Sequence, residues 1–329
     1  MNDLKLTIAL PDYDHTRDLA MGRVRTEGIQ LSCLILPVEE IFYRMIMYRE
    51  FDASELSFAK YASMRASGDD SLIALPVFPA RMFRHASLFV RRDGPIKAIS
   101  ELKGRRVGLP EWAQTAAVYS RGFLVQQFGI DLASIDWVQA GTNQPGRIEK
   151  VDLQLPKGVR LTRVADKSLN EMLLSGEIDA ALSARPPAAL THGHPNIKRF
   201  FDDVIAVETE YYRKTGIYPI MHVFAVRREI LETNPWAARS LFDAFEEAKA
   251  RSIERALDGT VSLFPIPWGF EHARRGMELL GADYFPYGVE PNRKTIEAFL
   301  AYAHEQGVCK KRMVAEDIFP KQMFGTHRV

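Results

Sequence analysis

Short apolar runs alternate with segments of helical spacing along most of the chain. Each apolar run is three to nine residues long and is bounded by Gly, Pro or polar residues, which is typical of strands. The predicted strands are Lys5–Leu10, Gly28–Leu36, Phe51–Ser57, Ser71–Phe78, His85–Arg91, Val107–Leu109, Ser134–Val138, Gly176–Leu182 and Pro219–Arg227. Segments with helical periodicity separate most of them, and this alternation predicts an α/β fold with doubly wound, parallel sheets.

Two of the apolar runs predict how the chain is divided. His85–Arg91 and Pro219–Arg227 have similar patterns, and a compact α/β unit lies between them. We therefore expect two lobes joined by two crossing strands, with a ligand cleft between the lobes. The expected limits are 1–88 plus 223–329 for the first, discontinuous lobe and 89–222 for the second.

The stretch Gly104–Tyr119 is the strongest candidate for the ligand site. A short strand is followed at once by good helix formers, and the first amides of a helix have no internal acceptor. Gln114, Thr115 and Ala116 could therefore donate N–H groups to a carboxylate, with Trp112 as a flat apolar wall. An ordinary strand-to-helix connection is the alternative.

Polar residues at other strand ends add candidates, because ligands of open α/β sheets bind beyond the carboxyl ends of the strands. Asp14, Glu55, Ser57 and Asn143 follow or end predicted strands. For Asp14 and Glu55, a turn or helix-capping role is the alternative.

Cationic side chains are concentrated near two of these ends. Arg81, Arg84 and His85 share one loop, and Arg185 follows the predicted strand that ends at Leu182. The arginines could hold carboxylates through paired N–H groups, although surface ion pairing is the alternative for each.

Composition limits the partners of the protein. The 329 residues carry 43 Lys and Arg against 42 Asp and Glu, a net charge of +1, so no global charge attracts nucleic acid or a membrane surface. The first apolar run is too short for a signal peptide, which favours a cytoplasmic protein. Cys33 and Cys309 lack the spacing of a metal site. The sequence leaves open whether the protein forms a homo-oligomer.

Several motifs narrow the prediction of the fold and indicate a family. The two-lobed pattern resembles the type II periplasmic binding-protein fold, as in the substrate-binding proteins of ABC transporters. The chain also resembles the 4,5-dihydroxyphthalate decarboxylase family over nearly its whole length, at Leu10–Thr16, Leu36–Phe42, Gly108–Trp112 with Gln114 and Thr115, Arg185–Pro187 and Ile220–Val223. This resemblance implies a ring-decarboxylating enzyme of phthalate degradation, a part of aromatic catabolism.

Such a lyase needs a base near a ring hydroxyl and an acid near the ring carbon that loses CO2. His222 is the first candidate for the acid and His85 the second, with Asp14 and Glu55 as candidate bases. The scheme requires no cofactor, although a divalent ion could replace an arginine as the carboxylate clamp. We expect Trp112, Arg185 and His222 to line one cavity. The alternative function is a solute-binding protein that closes on an aromatic or sulfonate anion without reaction.

Overall fold

The structure is a computed structural model that describes residues 3–325 and contains two open sheets flanked by helices. In chain order the strands are β1 (Leu4–Leu10), β2 (Ile29–Ile35), β3 (Ala53–Ser57), β4 (Leu72–Leu75), β5 (Leu88–Arg91), β6 (Arg106–Leu109), β7 (Asp136–Gln139), β8 (Arg160–Arg163), β9 (Ala180–Leu182), β10 (Ile197–Arg199) and β11 (His222–Arg227). The helices are α1 (Asp14–Ala20), α2 (Val38–Tyr48), α3 (Phe58–Ala66), α4 (Thr115–Phe128), α5 (Leu169–Ser175), α6 (Ala188–Thr191), α7 (Val204–Thr215), α8 (Arg228–Thr233), α9 (Ala237–Ala256), α10 (Gly269–Leu280), α11 (Arg293–Glu305) and α12 (Ala315–Ile318).

The first lobe is built on a sheet with strand order β2-β1-β3-β11-β4. Strand β1 pairs in parallel with β2 and β3, whereas β11 runs antiparallel to β3 and β4. All five residues of β3 are buried, as expected for a central strand covered on both faces. Because β11 runs in the opposite direction, its first residue lies at the edge of the sheet where β3 ends.

The second lobe is built on a sheet with strand order β10-β5-β9-β6-β7-β8. Strand β6 is parallel to β7 and β9, so the carboxyl ends of these three strands lie at one edge. Gly108 in β6 allows α5 to pack closely, since a Cβ atom there would lie 2.4 Å from Leu169 Cδ2 and 2.8 Å from Ile178 Cδ1.

Two crossing segments connect the lobes and pair with each other. Arg81 and Ile220 form an antiparallel bridge, and the Met221 amide donates to the Ala80 carbonyl over 2.8 Å. The predicted fold class, two sheets joined by two crossings, is confirmed, but the sheets are mixed and not wholly parallel, because β11 and β5 run antiparallel to their neighbours. The pairing lies just before β5 and β11, each of which belongs to a single sheet.

The lobe limits themselves stay a prediction. Strand β5 begins at Leu88 and β11 at His222, one residue from the predicted limits. Helix α11 contacts elements of both lobes. The Phe299 ring stacks on Phe58 of α3 with 4.4 Å between ring centroids, and its centroid lies 5.0 Å from that of Tyr119 in α4.

Several elements differ from the sequence expectation. The polar segment after Leu10 forms helix α1 instead of a turn, and β8 was not predicted because only Leu161 is even partly buried. Helix α7 was also missed, since Tyr211 alone is buried along its length. Between residues 3 and 325, no helix has the length and apolar character that crossing a membrane requires.

Candidate functional site

A cavity of about 450 Å³ lies between the two lobes. Its second-lobe wall includes Pro110, Gly141 and Ser183, which follow the carboxyl ends of β6, β7 and β9. Glu39, from helix α2, is the contribution of the first lobe. The remaining lining residues are Gln114, Thr142, Asn143, Gln144, Pro145, Gly146, Arg147 and Arg185. The position agrees with the rule that ligands of open α/β sheets bind beyond the carboxyl ends of the strands.

Two arginines make this cavity a candidate anion site. Arg147 Nη1 lies 3.7 Å from Glu39 Oε1, and Arg185 Nη2 lies 3.8 Å from Glu39 Oε2. The Arg185 side chain is 67% exposed, so its guanidinium is accessible to a ligand. Both arginines belong to the second lobe and face a carboxylate of the first lobe across the cleft.

A buried carboxylate holds Arg147 in place. Glu111 Oε1 accepts a hydrogen bond from Arg147 at 2.6 Å, and Glu111 Oε2 accepts one from Lys60 at 2.5 Å. Burial alone would raise the pKa of Glu111, but the charges of Lys60, Arg147 and Lys150 outweigh burial and hold this pKa below its usual value. The ionised Glu111 therefore links α3 of the first lobe to the cavity wall of the second lobe.

A second group of polar side chains lies at the carboxyl end of β3. Glu55 Oε1 accepts hydrogen bonds from His222 Nδ1 at 2.5 Å and from the Tyr13 hydroxyl at 3.0 Å. The Glu55 side chain is fully buried, whereas that of His222 is 19% exposed. Burial and the neighbouring Glu55 raise the pKa of Tyr13, so its hydroxyl stays neutral and acts as a donor. With Nδ1 bonded to Glu55, Nε2 is the imidazole nitrogen available to a ligand.

Helix α2 borders both groups. Glu39 faces the cavity, and Phe42 on the next turn contacts the His222 ring edge-on, with 4.9 Å between ring centroids. Helix α2 thus contacts the imidazole through Phe42 and the cavity through Glu39, one turn apart, although His222 itself is not among the lining residues.

The N-terminus of α4 reaches the cavity through Gln114. Thr115 instead spans the lobes: its Oγ1 lies 3.0 Å from Ser57 Oγ and accepts the Ala59 amide at 3.0 Å. Ala116 is buried. Of the three amide donors expected here, only Gln114 belongs to a residue that lines the cavity.

Trp112 does not provide the expected wall for a ligand. Its side chain is fully buried, its Nε1 donates to the Gln306 carbonyl at 2.7 Å, and the Arg121 guanidinium lies 3.8 Å from its ring centroid. Burial lowers the pKa of Arg121 to about 9. The expectation that Trp112, Arg185 and His222 line one cavity is therefore wrong, because only Arg185 is among the residues that line it. The Trp112 ring is enclosed by protein groups.

His85 is likewise an interior residue. It is 2% exposed, stacks on Phe123 with 4.3 Å between centroids, and its Nε2 lies 3.1 Å from Gln127 Oε1. Burial lowers its pKa, which favours the neutral ring. These contacts do not suit a proton donor in the cleft.

Three further candidates are engaged in structural contacts. Arg81 is buried and donates to the carbonyls of Pro286 and Tyr218 at 2.9 and 2.8 Å. Arg84 Nε lies 3.0 Å from the Met221 sulfur, and burial lowers the pKa of Arg84 to about 10. Asp14 opens α1 and accepts hydrogen bonds from α9, namely from Arg255 at 2.9 Å and Ser252 at 2.6 Å. The structure thus directs all three away from the cavity.

Sequence reasoning missed Tyr13, Glu39, Lys60, Glu111 and Arg147. Tyr13, Glu39 and Glu111 lie within the motifs that carry the family resemblance, but the roles were assigned to their neighbours. The proximity of Lys60 and Arg147 to Glu111 depends on contacts 51 and 36 residues apart, which no local pattern reveals.

Asn143 does line the cavity, where it braces the loop that carries Arg185. Its Oδ1 accepts a hydrogen bond from the Ala188 amide at 2.7 Å, and its Nδ2 donates to the Pro186 carbonyl at 3.2 Å.

Among residues 3–325, no three His, Cys, Asp or Glu side chains are grouped as a metal site would require. The expectation of a reaction without cofactor stays a prediction.

Substitution of Gly141 by alanine is expected to weaken anion binding and to destabilise the fold by about 1–3 kcal/mol. A Cβ atom at this position would lie 1.9 Å from the Gln144 carbonyl oxygen, so the loop that carries Arg147 must shift. Urea denaturation and a phthalate titration measure both effects. Gly276→Ala, in a position with no atom within 4 Å of the added Cβ, is the matched control. Equal unfolding free energies and equal phthalate affinities in the two variants would show that the loop tolerates a side chain at position 141.

The chain is similar in sequence to two known enzymes. The chain is 36% identical over 320 residues to a 4,5-dihydroxyphthalate decarboxylase of Comamonas testosteroni, covering 97% of each chain. It is 37% identical over 214 residues to one of Pseudomonas putida, covering 65% of this chain and 83% of that protein. No family model matches the chain.

Solved structures support the fold. The periplasmic aliphatic sulphonate-binding protein SsuA of Escherichia coli superposes with a TM-score of 0.56 at 13% identity, covering 98% of this chain and 99% of that chain. The desulfurization enzyme DSZB gives a TM-score of 0.57 at 15% identity and 97% coverage of both chains. These likenesses place the chain in the type II periplasmic binding-protein fold, which the sequence predicted.

Proposed function

This chain belongs to the 4,5-dihydroxyphthalate decarboxylase family, and we propose that it converts 4,5-dihydroxyphthalate to 3,4-dihydroxybenzoate and CO2 in the cleft between its lobes. The observation that carries this proposal is the 36% identity over 97% of both chains. The protein is then a carboxy-lyase on a fold shared with solute-binding proteins.

The reaction breaks one ring-carboxylate bond and forms one C–H bond. Each hydroxyl of the substrate is para to a carboxylate, so transfer of the hydroxyl proton to water moves electron density onto the ring carbon that carries the leaving group. That proton returns to the oxygen when the ring becomes aromatic again. A proton is added to that carbon, and the carboxylate departs as CO2, leaving its bonding electrons with the ring. No net oxidation or reduction occurs, so we propose that no redox cofactor takes part.

His222 is suited to supply this proton. Its hydrogen bond to Glu55 fixes the ring orientation and stabilises the imidazolium, while Nε2 can exchange a proton with the substrate. Tyr13 shares Glu55 and helps to hold the carboxylate in place. In this scheme Glu55 positions His222, because its buried carboxylate is not accessible to the ring.

Arg147 and Arg185 are suited to bind the carboxylate that the substrate retains. Guanidinium groups bind carboxylates through paired hydrogen bonds, and both arginines lie at the cavity. Binding the retained group leaves the other carboxylate free to lose its charge as CO2, which favours the transition state.

Replacement of Arg185 by alanine is expected to raise KM by about tenfold, with a smaller effect on kcat, because a charged hydrogen bond to the substrate is lost. Steady-state kinetics separate the two constants. Arg160→Ala, which removes an exposed arginine paired with Asp136 at 2.6 Å, is the control. An Arg185→Ala enzyme with an unchanged KM would remove Arg185 from substrate binding.

Incubation of the purified protein with 4,5-dihydroxyphthalate tests the proposed reaction. We expect one CO2 per substrate consumed, together with the absorption spectrum of 3,4-dihydroxybenzoate. A substrate that raises the melting temperature but is recovered unchanged would favour the solute-binding alternative.

The remaining properties are proposals that can be tested in the same preparation. Activity that survives chelation supports a reaction without metal, whereas loss and recovery on adding a divalent ion would support the metal-clamp alternative. We place the enzyme in the cytoplasm. The free thiols of Cys33 and Cys309 are compatible with this compartment, and cell fractionation tests it. We propose that the protein binds an aromatic carboxylate and that neither nucleic acid nor a membrane is a partner. The mass in solution determines whether the protein is a homo-oligomer.

A further inference from the structure

Glu39 is an acidic residue in a cavity that would otherwise attract anions. It lies in the first turn of α2, and its side chain is 48% exposed. Its two carboxylate oxygens face different arginines, with Oε1 3.7 Å from Arg147 and Oε2 3.8 Å from Arg185. One carboxylate of the first lobe therefore spans the two cations of the second lobe.

The two ion pairs of Glu39 have long distances, which makes them easier for a ligand to replace. Both distances exceed the 2.7–2.9 Å of a charge-assisted hydrogen bond, so neither pair has reached its optimum. Arg147 is anchored independently, through its 2.6 Å contact with the buried Glu111. The arginine stays in position when Glu39 is displaced.

Among residues 3–325, the ion pairs of Glu39 are those with Arg147 and Arg185. Its neighbour Glu40 pairs with Arg44 at 2.7 Å on the outside of the same helix. Glu39 instead faces Arg147 and Arg185, the residues assigned to the retained substrate carboxylate. The substrate and Glu39 thus compete for the same cations.

We propose that Glu39 is a specificity-determining residue that competes with the substrate for the carboxylate position between Arg147 and Arg185 and is displaced when the substrate binds. This inference rests on the proposed function for the identity of the substrate, and it adds a reason for selectivity. A ligand must supply its own carboxylate to replace Glu39 at the arginines. A neutral catechol has no group that makes this exchange.

Removal of the Glu39 charge should therefore strengthen binding of anions only. We expect Glu39→Gln to lower the Kd for phthalate by about two- to fivefold, the effect of losing exposed ion pairs of this kind. Isothermal titration with phthalate measures the change, and catechol serves as the uncharged probe. Glu40→Gln, one residue away on the same helical turn, is the matched control.

The titrations distinguish the exchange of Glu39 from a general effect of removing charge on α2. Tighter phthalate binding in Glu39→Gln alone, with catechol binding unchanged, supports the exchange. An unchanged or higher Kd in Glu39→Gln, or the same gain in Glu40→Gln, overturns it. Phthalate lacks the hydroxyls that drive the reaction, so the titration reports on the site independently of turnover. If 4,5-dihydroxyphthalate is not decarboxylated but the phthalate shift is observed, the proposed function fails while the role of Glu39 stands.

Discussion

Replacement of His222 by alanine is expected to lower kcat for 4,5-dihydroxyphthalate by about 10²- to 10⁴-fold, the usual contribution of a positioned acid or base. The loss falls on kcat because the imidazole acts on the ring carbon and not on the retained carboxylate. The Kd for phthalate should change little. Steady-state kinetics and titration of the same preparation measure both quantities.

Two further variants define the role of this histidine. Glu55→Gln should also lower kcat, because the neutral amide cannot stabilise an imidazolium 2.5 Å away. His192→Ala, which removes an exposed histidine, is the control and should retain full activity. A well-folded His222→Ala protein with normal turnover would exclude His222 from proton transfer.

Replacement of Glu111 by alanine is expected to destabilise the protein by about 3–5 kcal/mol, the usual cost of breaking a buried ion pair. Glu111 is 2% exposed and is the shared partner of Lys60, Arg147 and Lys150. Its loss leaves these cations close together, with Glu149 as the remaining carboxylate near Lys60 at 3.1 Å. Urea denaturation measures the free energy of unfolding.

The effect should depend on pH in a defined direction. Since the pKa of Glu111 is lowered in the folded protein, its contribution is present above the unfolded value of about 4.3 and is lost as the pH falls through the folded value. The difference between wild type and Glu111→Ala should therefore shrink below about pH 4. Glu177→Ala, which breaks an exposed pair with Lys167, is the control and should cost less than about 1 kcal/mol. Equal losses in the two variants would contradict the structural role of Glu111.

The fold could be predicted because its strands are apolar and its helices alternate with them. Buried strands such as β11, whose residues Val223–Val226 are all apolar and buried, have a pattern that depends on local sequence alone. The exceptions have a physical reason: β8 is mostly exposed and α7 buries only Tyr211, so neither has a strong apolar signal. Helix α1 was missed because polar Asp14 suggested a turn in which its carboxylate accepts backbone N–H groups. In the structure Asp14 pairs with Arg17 and Arg255.

The site could be predicted only where residues follow strand ends. That rule identified Glu55 and Arg185, whereas His222 was chosen for its position at a crossing strand. Arg185 lines the cavity, and His222 bonds to Glu55 at the carboxyl end of β3. The rule failed for Trp112 and His85, whose surroundings come from segments far away in sequence, such as Gln306 and Tyr211. Side-chain burial depends on these distant contacts, and one sequence contains no local record of them.

A crystal structure of the complex with phthalate tests the central claim most directly. We expect one carboxylate within about 3.2 Å of the Arg147 and Arg185 guanidinium groups in place of Glu39. We also expect the ring to lie beside His222 Nε2. A ring bound outside this cleft, or bound with His222 remote from every ring carbon, would contradict the account.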